Sequence, residues 1–141
     1  MKKTIALVAH DSCKKELFAW VSHNLDKLNG HNFYATGTTG KIVSEVLKGV
    51  QCLKSGPLGG DQQLGALISE GKIDYVIFFW DPMTNQPHDV DVKALLRLSV
   101  LYNIPTACNR ATADFLISSC LFAKNYQPNV TNYYDYLNRK L

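Results

Sequence analysis

Paired cysteines are missing from this sequence. Cys13, Cys52, Cys108 and Cys120 are far apart and form no C-x-x-C pair. Neither a disulfide framework nor a zinc site is therefore expected, and four reduced thiols in a cytoplasmic protein are the reading. Membrane-length hydrophobic runs are missing as well. The opening "MKKTIALVAHDSCKK" begins like a secretion signal, but its apolar run stops at His10 and Asp11, too short for one. An excess of one charge is also missing: 15 Lys/Arg face 12 Asp/Glu, a net charge of +3 with no basic stripe. Nucleic acid is thereby an unexpected partner, while phosphate-bearing small molecules stay compatible. Repeats and long linkers are absent, so residues 1–141 read as one domain large enough to bury a core.

What is present is an alternation. "TIALVA" (4–9) reads as a strand buried on both faces. In "CKKELFAWVSHNL", Leu17, Trp20, Val21 and Leu25 recur at helical spacing. "HNFYAT" (31–36) reads as a second strand, "GTTG" as a loop and "KIVSEVLKG" as a helix; "QCL" is a short third strand. After a glycine-rich loop, Leu64, Leu67 and Ile68 mark a helix ending near Gly71. "DYVIFFW" (74–80) is the strongest strand. The polar loop "DPMTNQPHDVD" leads to the helix "VKALLRLSVLYN". "PTAC" is a fifth strand, "TADFLISSCLFA" a long helix, and the tail reads as a further strand and a helical turn. Five strand–helix alternations with short connections predict an α/β fold, a parallel sheet covered by helices on both faces.

In such sheets ligands bind beyond the carboxyl ends of the strands. Just past those ends lie His10, Asp11 and Lys14; Thr36, Gly37, Thr38 and Thr39; Ser55, Gly56, Gly59, Gly60 and Asp61; Asp81, His88, Asp89 and Asp91; and Asn109 with Arg110. Each has two readings. "TGTTG" is either a phosphate-binding turn at a helix N-terminus or an ordinary Thr/Gly cap. Lys14 is either a solvated surface lysine or a cation for an anionic ligand. Asp61 has the look of an N-cap, or of a base placed where a loop meets a helix. His88-Asp89-x-Asp91 carries metal-ligand residue types without further ligands at supporting spacing, so loop polarity is the safer reading. His10, at a strand end, is placed to point into the crevice; His23 and His31 read as surface residues, and Trp20, Phe78, Phe79 and Trp80 as packing.

Taken together, "IALVAHD", "YATGTTG", "GPLGGDQQ", "IDYVIFFWDP", "PHDVDVKALLRL" and "NIPTACN" resemble the methylglyoxal synthase family, in order and spacing, from about residue 4 to 122. The resemblance implies a three-layer α/β/α fold with a five-stranded parallel sheet in the order 3-2-1-4-5. It implies a homohexameric, cytoplasmic lyase that converts dihydroxyacetone phosphate to methylglyoxal and inorganic phosphate, without metal or organic cofactor. Phosphate, the product, is also an inhibitor in such enzymes, often cooperatively. Carried over by motif, Asp61 resembles the catalytic base. His10, Lys14, Thr36, Gly37, Thr38, Thr39, Ser55, Gly56 and His88 match substrate- or phosphate-binding positions, and Asp11 and Asp91 match supporting acidic ones. The family's arginine near the C-terminus falls here on Arg139 or Lys140. The same fold also serves as an effector-binding domain in carbamoyl phosphate synthetase, so a stand-alone phosphate-ligand-binding regulatory domain is the alternative; an isomerase of phosphorylated ligands is a third reading.

Deprotonation beside a ketone needs a placed base and a donor to the enediolate oxygen. Asp61 is expected to be that base and His88 the donor, with His10 the competing choice. Lys14 and the Thr36–Thr39 turn would hold the phosphate, and Asp11 or Asp91 would orient a histidine. A helix N-terminus would weaken Asp61 as a base and burial would strengthen it.

Overall fold

The computed structural model describes residues 1–140; Leu141, part of the predicted tail, lies outside the described residues. Five parallel strands, β1 (Thr4–Ala9), β2 (Asn32–Thr36), β3 (Val50–Leu53), β4 (Tyr75–Phe79) and β5 (Thr106–Ala107), form a sheet in the order β3-β2-β1-β4-β5. After Thr4, the central strands β1 and β4 are buried at every position because both faces are covered. Along β1, Ile5 and Leu7 point to one core with Phe33, Ala35, Ile77 and Phe79, while Ala6 and Val8 point to the other with Val76 and Phe78.

The helices divide between these faces. Leu17, Trp20 and Val21 of α1 (Lys14–His23), Val43 of α3 (Gly37–Val43), and Ala113 and Ile117 of α6 (Arg110–Ser118) fill the first core. Leu64 and Ile68 of α4 (Gly60–Ser69), with Val92 and Leu95 of α5 (Asp89–Leu101), fill the second. Each fully buried leucine, isoleucine or valine among them contributes roughly 1.5–3 kcal/mol. Trp20, 1% exposed, also donates its indole N–H to Asp114 Oδ1 at 2.9 Å, tying α1 to α6. Short helices α2 (Leu25–Leu28) and α7 (Tyr134–Leu137) complete the set.

Several boundaries differ from the sequence reading. The "GTTG" segment is the first turn of α3 rather than a loop before it, and the helix ends at Val43. Tertiary contacts override the weak helix propensity of Gly and Thr: Gly37 N–H donates to Lys54 O at 3.1 Å, and a Cβ at Gly40 would come within 2.6 Å of Cys52 Sγ. The last long helix runs from Arg110 to Ser118, started by Asn109, whose side chain accepts from Thr112 N–H at 2.9 Å. The tail forms its helical turn, α7, but no strand among the described residues.

Candidate active site

The carboxyl ends of β1, β2, β3 and β4 open onto one cavity of about 270 Å³. The strand order explains the convergence. Chain connections run from β1 outward through β2 to β3 and then return past β1 to β4, which leaves a crevice beside β1. His10, Asp11, Lys14, Thr36, Gly37, Thr38, Thr39, Ser55, Gly56, Asp61 and His88 all line this space. Asp91 does not; it faces α4 from α5, in a separate cavity that it shares with the back of Asp61. Pro57 and Gln86 also line the site and were not singled out from the sequence. Their signals were faint: Pro57 sits inside the glycine-rich motif, and Gln86 lies two residues before His88.

Asp61 is not the cap of its helix. Gly59, at φ +100°, holds the N-cap position of α4, and no side chain caps the first turn. Only glycine accepts that left-handed conformation at no steric cost. Asp61 follows in the first turn with its side chain inward, 4% exposed, and its Oδ2 has no hydrogen-bond partner. Burial pushes its carboxyl above the ordinary range. A charged His88 would pull it down, and the negative Asp91 adds to the rise. Burial outweighs the pull of His88, and the result is a more basic carboxylate.

His88 Nε2 lies 3.5 Å from Asp61 Oδ2, and its Nδ1 is a second buried atom without a partner. Gly56 makes this approach possible: a Cβ there would stand 2.6 Å from His88 Nε2 and 3.2 Å from Asp61 Oδ2. The close packing of loop backbone on these two side chains leaves room for no larger residue.

His10 is the third member. Its ring stands perpendicular to that of His88 with centroids 5.8 Å apart, and edge-on to Phe78 at 5.2 Å. Its Nδ1 accepts the backbone N–H of Asp81 at 3.1 Å. Burial first, and the neighbouring His88 next, hold its pKa below the ordinary histidine value, so the ring stays neutral at pH 7. A neutral ring that accepts at Nδ1 carries its proton on Nε2, the third buried atom without a partner. Three such polar atoms within one cluster are unusual in a protein interior, where nearly all are satisfied.

The opposite wall is built for an anion. Lys14, 16% exposed at its side chain, pairs with the solvent-facing carboxylate of Asp11, whose pKa it depresses. The first turn of α3 has no side-chain cap, Gly37, Thr38 and Thr39 line the cavity, and a helix N-terminus favours an anion. Buried Thr36 and Thr39 stand beside it, Thr39 Oγ1 lying 3.4 Å from Ala9 O.

Other expectations are not met. No hydrogen bond joins Asp11 or Asp91 to either histidine among the described residues, because Asp11 projects into solvent and Asp91 faces α4. His10 is oriented by the Asp81 amide instead. Asp89, read from the sequence as part of a polar loop, accepts from Gln86 N–H. Arg139 lies over the Tyr136 ring in its own tail, and neither it nor Lys140 lines the cavity.

Comparison with known proteins agrees with this arrangement. The family model for the MGS-like domain matches residues 17–108. The methylglyoxal synthase of Maridesulfovibrio salexigens is 59% identical, covering 99% of this chain and 98% of that one. That of Yersinia enterocolitica is 57% identical over 99% and 93%. The crystal structure of methylglyoxal synthase from Elizabethkingia anophelis NUHP1 superposes with a TM-score of 0.92 at 54% identity, covering 99% of this chain and 93% of that one. No helix among the described residues is long and apolar enough to cross a membrane. With the same fold, near full-length coverage and more than half of its residues shared with those enzymes, this chain belongs to the methylglyoxal synthase family of lyases.

Proposed function

We propose that this enzyme takes dihydroxyacetone phosphate and releases methylglyoxal and inorganic phosphate, with Asp61 as the base. The observation that carries the proposal is the buried, unpartnered Oδ2 of Asp61 facing two histidines in a cavity whose other wall is cationic. Lys14 and the first turn of α3 hold the phosphate, helped by Thr36, Thr38, Thr39, Ser55 and Gly56, which sets the hydroxymethyl carbon beside Asp61.

Asp61 removes a proton from that carbon, and the C–H electron pair becomes the double bond of an enediolate. His88 donates to the former carbonyl oxygen, and the Nε2–H of His10 is a second donor aimed at the same charge. Donors already in place cost no reorganisation in the transition state. The terminal hydroxyl then loses its proton and its electrons re-form a carbonyl. The double bond shifts by one carbon, and the bridging C–O bond breaks with its pair leaving on phosphate. The enolate that remains gains a proton at the carbon that bore phosphate and becomes methylglyoxal. Elimination needs that C–O bond out of the enediolate plane, and a phosphate gripped from the α3 side supports this geometry. An isomerase would hold the same bond in plane.

We place the enzyme in the cytoplasm as a homohexamer inhibited by its product phosphate. Exposed apolar side chains such as Phe115 (82%) and Val100 (81%) support association of copies. The test is to incubate the purified protein with dihydroxyacetone phosphate and to measure methylglyoxal and phosphate together, beside Asp61→Asn. Equal release of both products is expected, with a loss of about 10²–10⁴ in rate for the variant. Substrate binding without release of either product would instead identify a regulatory binding domain.

A further inference from the structure

A second cavity, of about 180 Å³, lies at the opposite end of the strands, where residues 126–130 cross the amino-terminal edge of the sheet. Asn103 Nδ2 holds this crossing by donating to Asn129 O at 3.0 Å. Tyr102, Ile104 and Pro105 line one side, and Tyr126, Pro128 and Val130 the other.

Two polar side chains reach this cavity from the core. Lys3 is only 2% exposed, and no ion pair or side-chain hydrogen bond to its ammonium occurs among the described residues. What little of it stays accessible opens here. A lysine this far withdrawn from solvent and outside any ion pair is uncommon, since such a group is normally paired. Tyr75 is 4% exposed, and its hydroxyl also has no hydrogen-bond partner among the described residues. Burial raises its pKa, so the hydroxyl stays a donor. Asp74, at the same rim, already accepts Thr4 N–H through Oδ2 at 2.8 Å.

We propose that this cavity is a second ligand site, taking a small monocarboxylate with a ring-sized apolar body. The carboxylate meets the Lys3 ammonium and the Tyr75 hydroxyl, and the body lies among the tyrosine, proline and isoleucine side chains. Size limits the ligand, since an apolar cavity of about 150 Å³ accepts one benzene. Charge limits it further: one cation beside the Asp74 carboxylate favours a monoanion and disfavours the phosphate dianion that suits the Lys14 site. The two sites lie at opposite ends of β1 and β4 and are thus separable by experiment.

Benzoate is the probe, with neutral benzamide as its isostere, followed by NMR of the full chain with and without saturating inorganic phosphate. The expected result is saturable shifts at Lys3, Tyr75, Ile104 and Val130 with benzoate at millimolar concentration, unaffected by phosphate. Benzamide should bind at least about tenfold more weakly, as should benzoate to Lys3→Met, because one charge-assisted hydrogen bond is lost. Tyr75→Phe, which keeps the ring packing, should weaken benzoate several-fold. The proposal is overturned by any of three results: no saturable shift at these residues, shifts that map to His10 and His88 and are displaced by phosphate, or equal binding of benzoate and benzamide. The last comparison needs no variant, so a folding defect in Lys3→Met leaves the test intact.

Discussion

The backbone N–H of Asp81 donates to His10 Nδ1 at 3.1 Å and thereby decides which face of the imidazole carries its proton. The Asp81 carboxylate is itself anchored. It accepts Met83 N–H at 2.9 Å and Ser12 Oγ–H at 2.8 Å, and these bonds, the first most strongly, depress its pKa to about 2. The loop after β4 therefore stays tied to the loop after β1 throughout the pH range in which His10 titrates. Nitrogen NMR of His10 should show the Nε2–H tautomer at neutral pH. In Asp81→Ala the tautomers should mix and kcat should fall more than KM rises; an unchanged His10 spectrum would argue against the tether.

Asp91 bears on the reaction through charge. Asp61 must be ionised to act, so activity rises with pH through its elevated pKa, and the negative Asp91 contributes to that elevation. Asp91→Asn should move the acidic limb of the kcat/KM profile to lower pH. A limb that stays in place would exclude electrostatic coupling between the two.

Asp61 also leaves a signature in stability. Its folded pKa is raised, so its contribution is favourable at low pH and is lost as pH rises through the folded value. Wild type should therefore lose stability relative to Asp61→Asn as pH increases over that window. Denaturant titrations of both proteins at several pH values check this, and parallel curves would mean that the carboxyl is not perturbed.

Gly56 and Gly60 should separate function from folding. A Cβ at Gly56 meets the tip of His88 at 2.6 Å, so Gly56→Ala should fold but displace the imidazole and cost about 10²-fold in kcat. At Gly60 the Cβ would lie 1.9 Å from the backbone oxygen of Lys54, which cannot yield locally. Gly60→Ala should lose stability first, measured as a lower Tm.

Lys14→Met should raise KM about 10- to 100-fold, as expected for losing one hydrogen bond to a charged group, with a smaller change in kcat. A fall in kcat at constant KM would instead place Lys14 at the leaving-group step alone.

The order of strands and helices was legible because apolar runs such as "TIALVA" and "DYVIFFW" suit only strands buried on both faces, and alternation with amphipathic helices then dictates a parallel sheet. The polar residues beyond the strand ends were legible for the same reason, and of the twelve that the family resemblance matched to site positions, eleven line one cavity, Asp91 being the exception. Local rules misread "GTTG", whose weak propensity is overridden by the Lys54 and Cys52 contacts. They also gave Asp61 the look of a cap, a place that Gly59 takes. The Asp81 amide on His10 joins residues 71 apart in sequence, and the cavity that Lys3 lines is completed by tail residues more than 120 positions away. Sequence by itself determined which residue types stand at each strand end, because periodicity and motif are local. Only the tertiary structure decided which polar atoms were left without partners, because burial and pairing depend on how distant segments pack.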